Sequence, residues 1–115
     1  MSQPNKLVVV WTNGDREVAV RMAFMYTLNS KLKEWWNEVN LIIWGPSAKL
    51  LVEDTVLQEY VRKMKDAGVE LLACKACTDS YGVSEVLENM GITVKYMGLE
   101  LTEFLKEEDT RVITI

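Results

Sequence analysis

Short runs of β-branched and apolar residues alternate with longer stretches of helical repeat along the whole chain. Lys6 to Thr12 (KLVVVWT) ends at the turn pair Asn13-Gly14 and reads as a buried strand. The next stretch, DREVAVRMAFMYTLNSKL, lacks Gly and Pro and reads as a helix, with Asp15 at the positive end of its dipole. Val39 to Trp44 is a second strand, stopped by Gly45-Pro46. Val56, Leu57, Tyr60, Val61 and Met64 then form one helical face, closed by Gly68. Val69 to Ala73 is a third strand. Val83, Val86, Leu87 and Met90 make another helical face, with Ser84 as N-cap and Gly91 as stop. Ile92 to Met97 is a fourth strand. Leu101, Phe104 and Leu105 suggest a short helix capped by Thr102, and RVITI is a fifth strand. This β-α-β-α-β-α-β-α-β succession predicts an α/β fold, a three-layer α/β/α sandwich around a five-stranded, mainly parallel sheet. The pattern does not give the strand order.

At 115 residues, without linker, repeat or low-complexity segment, the chain is expected to form one domain over 1–115. Its 17 acidic and 13 basic residues give a formal charge of −4, and no basic cluster stands out. A nucleic-acid partner is therefore not expected. The opening MSQPNKLVVVW resembles neither a signal peptide nor a membrane span, so the expected location is cytoplasmic, where thiols stay reduced. Trp35 and Trp36 are adjacent at the end of the first helical region and cannot both face one core from a helix, which marks either a candidate oligomer contact or a pair packed under a loop. The first helix is apolar most of the way round. It calls for cover on more than one side, by the sheet and by another subunit.

Ligands of open parallel sheets gather beyond the carboxyl ends of the strands. The residues expected there are Asn13 and Gly14 after the first strand, Gly45 and Ser47 after the second, and Gly98 after the fourth. After the third come Cys74, Lys75 and Cys77. The two cysteines are the only ones in the chain, and histidine is absent. Ser-His-Asp and Cys-His catalysis cannot be built within this chain. A zinc site would need carboxylates or a second subunit, because one C-x-x-C is half of a four-cysteine set. No metal and no cofactor is expected. Asn13-Gly14-Asp15 lacks both glycine-rich phosphate spacings and reads as a tight turn.

Cys74 follows an apolar strand directly. A helix start and Lys75 would both favour its thiolate, a competent nucleophile toward sulfane sulfur or a disulfide. The plain alternative is that both cysteines pack as small hydrophobes. A thioredoxin-like reading finds little support: no Trp precedes the pair and no Pro lies within it.

The segments LVVVWTNG, IIWGPSAKLL, GVELLACKACTDSYGV and MGITVKYMG together resemble the DsrE/DsrF-like family, from about Lys6 to Ile115. The resemblance implies a small α/β/α domain (DsrEFH-like) that assembles as a trimer, hexamer or mixed ring. It also implies a sulfur carrier, with sulfurtransferase-like activity in a relay between donor and acceptor proteins. In the DsrE and TusD subunits the active cysteine follows the third strand and a glycine comes eight residues later. Cys74 and Gly82 reproduce that spacing, so the resemblance places a persulfide on Cys74. Cys77 stands where those subunits have a small residue, and Ser80-Tyr81 replace basic residues before the glycine. Cys77 could resolve a persulfide on Cys74. Two other readings stay open: a dithiol redox protein using Cys74 and Cys77, and a non-enzymatic assembly or small-ligand-binding subunit with inert cysteines.

Overall fold

The computed structural model describes residues 3–115; Met1 and Ser2, part of the expected domain and of the N-terminal reading, lie outside the described residues. Strands β1 (Lys6–Trp11), β2 (Glu38–Ile43), β3 (Glu70–Cys74), β4 (Thr93–Lys95) and β5 (Thr110–Thr114) form one sheet in the order β4-β3-β2-β1-β5. Every neighbouring pair is parallel. The helical elements are α1 (Arg16–Val18), a π-helical segment (Ala19–Phe24), α2 (Met25–Leu32), α3 (Pro46–Glu53), α4 (Thr55–Ala67), α5 (Lys75–Tyr81), α6 (Ser84–Asn89) and α7 (Gly98–Lys106). The expected α/β sandwich is therefore what the chain forms.

The strand order decides how the two faces of the sheet are covered. β1 to β4 step across the sheet in one direction, and right-handed crossovers then put every intervening helix on the same face. Phe24, Leu57, Val61, Met64 and Leu87 from those helices meet Leu7, Val9, Trp11, Leu41, Ile43, Leu71 and Ala73 there. The connection from β4 to β5 runs back past the other strands, so α7 lies on the opposite face. Met97, Leu101 and Phe104, in and just before α7, cover Val8, Val10, Ile42, Leu72 and Cys74 on that face. One layer is thus broad and the other is a single nine-residue helix.

Several local expectations are corrected. Gly45-Pro46-Ser47 is more than a turn: Pro46 opens α3, at a position where its missing N–H leaves nothing unpaired. Asp54 separates α3 from α4. Its carboxylate accepts from Val56 N–H and Leu57 N–H at 2.9 and 3.2 Å and takes the Arg16 guanidinium at 2.6 Å. β4 is shorter than Ile92 to Met97. Val83, not Ser84, is the N-cap of α6, because the Ser84 hydroxyl is engaged by Thr78 and Asp79. Thr102 lies inside α7 and donates back to the Gly98 carbonyl at 2.8 Å.

The wide π turn lets both Ala23 and Phe24 enter the core, with Phe24 edge-on to Trp11 at 4.7 Å. Met22 and Met25 are left in solvent. Trp36 packs partly inward and donates to the Tyr26 hydroxyl at 3.2 Å, whereas Trp35 is exposed. Among the described residues no helix is long and apolar enough to cross a membrane.

Because α7 supplies most of the cover of the second face, Phe104→Ala should lower stability by about 3–5 kcal/mol. Leu105→Ala, on the exposed side of the same helix, should stay within about 0.5 kcal/mol. Denaturant midpoints at constant m-value check the pair; equal effects would contradict this packing.

Candidate functional site

Strand β3 ends at Cys74, whose extended backbone (φ −74°, ψ 114°) makes it the N-cap of α5. Cys77 is then the third residue of that helix. N-cap and third-position side chains face each other across the first turn, the geometry that capping boxes use. The C-x-x-C spacing, laid across a strand-to-helix junction, thereby packs the two thiols together. Both are free and belong to the apolar cluster of the thin face. They differ in access. Cys74 is 5% exposed within the cluster that holds Met97, Leu72 and Ile42, while Cys77 is half-buried at its edge.

Gly45 joins this pair from the end of β2. Its backbone conformation (φ 78°, ψ −141°) belongs almost solely to glycine, and its backbone N–H reaches the Cys77 sulfur. Burial pushes the Cys77 thiol up from its ordinary value, the Gly45 N–H lowers it in part, and neighbouring Cys74 raises it further.

Lys75 does not face the thiols as expected. Its ammonium is 2.8 Å from Asp79 and lies 5.8 Å from the centre of the Tyr96 ring. The hydrogen bond to Asp79 raises Lys75 from its ordinary value. Lys75, and then Ser84, hold the Asp79 carboxyl below the usual carboxylate range. The Ser84 hydroxyl donates to Asp79 at 2.5 Å and lies 2.7 Å from the buried Thr78 hydroxyl. This chain fixes the turn at Gly82 (φ 71°) that separates α5 from α6. Gly82 thus ends the cysteine-bearing helix and does not touch the sulfurs.

The remaining expected residues are placed unevenly. Ser47 is buried, donating to the Trp11 carbonyl at 2.6 Å and accepting from Trp44 N–H at 3.2 Å; it clips β1 to β2 below the rim. Asn13 caps its own turn by accepting from Asp15 N–H at 2.8 Å. A Cβ on Gly14 would meet Pro46 at 3.3 Å, so those two turns touch. Gly98 starts α7 beyond β4 and is exposed. Only Gly45 is brought to the cysteine pair. The usual ligand crevice, where the strand order reverses between β1 and β5, is occupied by the Ile115 carbonyl, which accepts from Thr12 and Asn13 N–H at 2.7 and 3.3 Å. The chemistry-bearing edge therefore lies two strands away.

Sequence reasoning missed Lys95. It pairs in register with Cys74 across β3 and β4 and stands on the same face, its ammonium 2.9 Å from Glu100. Only the parallel pairing reveals that proximity. Among the described residues, no group of three or more Cys, Asp or Glu is arranged to hold a metal.

The family model described as the DsrE/DsrF-like family matches residues 5–115. A solved conserved protein of unknown function from Bacteroides thetaiotaomicron is 40% identical and superposes with a TM-score of 0.92, over 96% of this chain and 95% of that one. The ychN protein from E. coli, 18% identical, shares the fold at a TM-score of 0.78, over 96% of this chain and 99% of its own. No curated protein matches in sequence.

Two measurements check the site geometry. Site-resolved alkylation of Cys77 should have its pH midpoint above that of an ordinary thiol, since a raised pKa delays thiolate formation to higher pH; a midpoint at or below the ordinary value would contradict this. Gly45→Ala meets no atom within 4 Å yet should destabilise by about 1–3 kcal/mol through its backbone angles, read from the shift in denaturant midpoint.

Proposed function

The chain belongs to the DsrE/DsrF-like family, and from that premise we propose that it is a sulfur carrier of sulfurtransferase-like activity holding a sulfane sulfur as a persulfide on Cys74. The observation that carries this reading is a second thiol packed on Cys74 at the strand-end rim, against an otherwise apolar cluster. A thiolate there can take a sulfane sulfur from a donor persulfide and yield it to an acceptor thiol without any metal or organic cofactor. The donor and acceptor are proteins or small persulfides that reach the Cys77 rim, in the cytoplasm.

Self-assembly as a trimer or hexamer belongs to the same proposal. Met22, Met25, Leu32 and Trp35 are exposed apolar side chains in and just after the π segment and α2, and a second copy of this chain would cover them. Met25→Glu should then lower the mass measured by light scattering, while a monomeric wild type would rule assembly out.

Wild-type protein incubated with a persulfide donor should retain the mass of one added sulfur atom after the donor is removed and the protein is rinsed briefly with glutathione, and Cys74→Ser should retain much less. No adduct on wild type, or equal retention by Cys74→Ser, overturns the carrier reading. The contact between the two thiols also favours a dithiol redox protein. That reading predicts a loss of two hydrogens on mild oxidation, dependent on both cysteines, and no retained sulfur.

A further inference from the structure

We propose that Cys77 is the receiving thiol of this site and Cys74 the storing one, so that a sulfane sulfur enters on Cys77 and passes inward. The inference rests on the carrier reading above and assigns an order to the two cysteines. Its basis is their depth. Cys74 is 5% exposed and belongs to the apolar cluster that includes Ile42, Leu72 and Met97. Cys77 packs over it from the first turn of α5 and is the thiol that meets solvent. A donor approaching the rim reaches the Cys77 sulfur first.

The two steps balance without an outside oxidant or reductant. The Cys77 thiolate attacks the terminal sulfur of a donor persulfide. A new S–S bond forms on Cys77, the donor's S–S bond breaks, and the donor leaves as a thiolate. Cys74 then attacks the outer sulfur of the Cys77 persulfide. A new S–S bond forms on Cys74, the bond to Cys77 breaks, and Cys77 leaves as a thiolate that takes the proton Cys74 gives up. The sulfane sulfur keeps its oxidation state throughout. Attack on the inner sulfur would instead close a Cys74–Cys77 disulfide and release hydrosulfide, with the dithiol oxidised and the sulfane sulfur reduced.

The burial of Cys74 explains why inward transfer is useful. A persulfide on the rim is open to any passing thiol, whereas one beneath Cys77 is shielded. Met97, unbranched and flexible, is the neighbour best able to repack around one extra sulfur. Burial of Cys77 lowers its thiolate fraction at neutral pH, but the more basic thiolate is also the stronger nucleophile, so the penalty is partial.

Lys75 makes the test direct, because tryptic cleavage after it separates the two cysteines into different peptides. Wild-type protein is mixed with glutathione persulfide, quenched at increasing times with an alkylating agent, digested and mass-mapped. Added sulfur should appear on the Cys77 peptide first and on the Cys74 peptide later. Cys77→Ser should load more slowly by about tenfold or more, since only the buried thiol remains. Cys74→Ser should acquire sulfur on Cys77 but lose it to added glutathione faster than wild type. Sulfur appearing first on Cys74, or wild-type loading by Cys77→Ser, overturns the order. A wild type that never loads removes the carrier reading itself. Iodoacetamide labelling of unloaded protein separates the two failures: Cys77 should react before Cys74, and the reverse would overturn the order whatever the carrier result.

Discussion

The handedness of the parallel crossovers is the constraint on which the rest of this structure depends. Once β1 to β4 are laid down in one direction, their helices share a face, and the return to β5 supplies most of the cover for the other. That return is α7, one short helix anchored by Phe104 and by Met97 just before it. The cysteines lie on this thinly covered face. A buried thiol under many layers would be inert packing; beneath one helix and one turn of α5, Cys74 is covered yet one side chain from solvent. Lys6, with its ammonium 4.5 Å from the centre of the Phe104 ring, helps hold that cover at the far end of the sheet.

Around the thiols, polar groups serve the backbone more than the sulfurs. Ser47 ties β1 to the start of α3, and the Thr78–Ser84–Asp79–Lys75 chain pins both ends of the loop at Gly82. Fixing these ends sets the position of α5, and therefore the placement of Cys77 over Cys74. Gly45 contributes through its backbone angles: only a residue without Cβ settles there without strain, and its N–H is the polar group that reaches the outer thiol. The site is thus a pair of sulfurs held by a rigid polar frame and closed by an apolar floor.

Strand-and-helix alternation was legible because its signals are local. β-branched runs bounded by Asn13-Gly14, Gly45-Pro46 and Gly68 appear as strands or strand ends, and the helical spacing of Leu57, Val61 and Met64 appears as the buried face of α4. The helix α3 was not legible, since Pro46 reads equally as a turn and as the first residue of a helix, and Asp54 as a break shows itself only through the N–H groups it accepts. Ser84 and Thr102 look like caps by type, but their hydroxyls are directed elsewhere by neighbours that a reading of cap residues alone does not include.

Residue types within a few positions of one another were enough for an α/β domain, a parallel sheet, the edge on which chemistry would collect and the two cysteines on that edge. The strand order, the single-helix cover of the second face and the neighbours of the thiols came from the assembled fold. Lys75 is turned to Asp79, Lys95 is set beside Cys74, and the Gly45 turn arrives at the pair from the end of β2. Depth came from the same source, with Cys74 within and Cys77 at the rim. The spacing of two cysteines sets their separation along the chain, whereas their relative exposure depends on which strands and helices the crossovers bring around them.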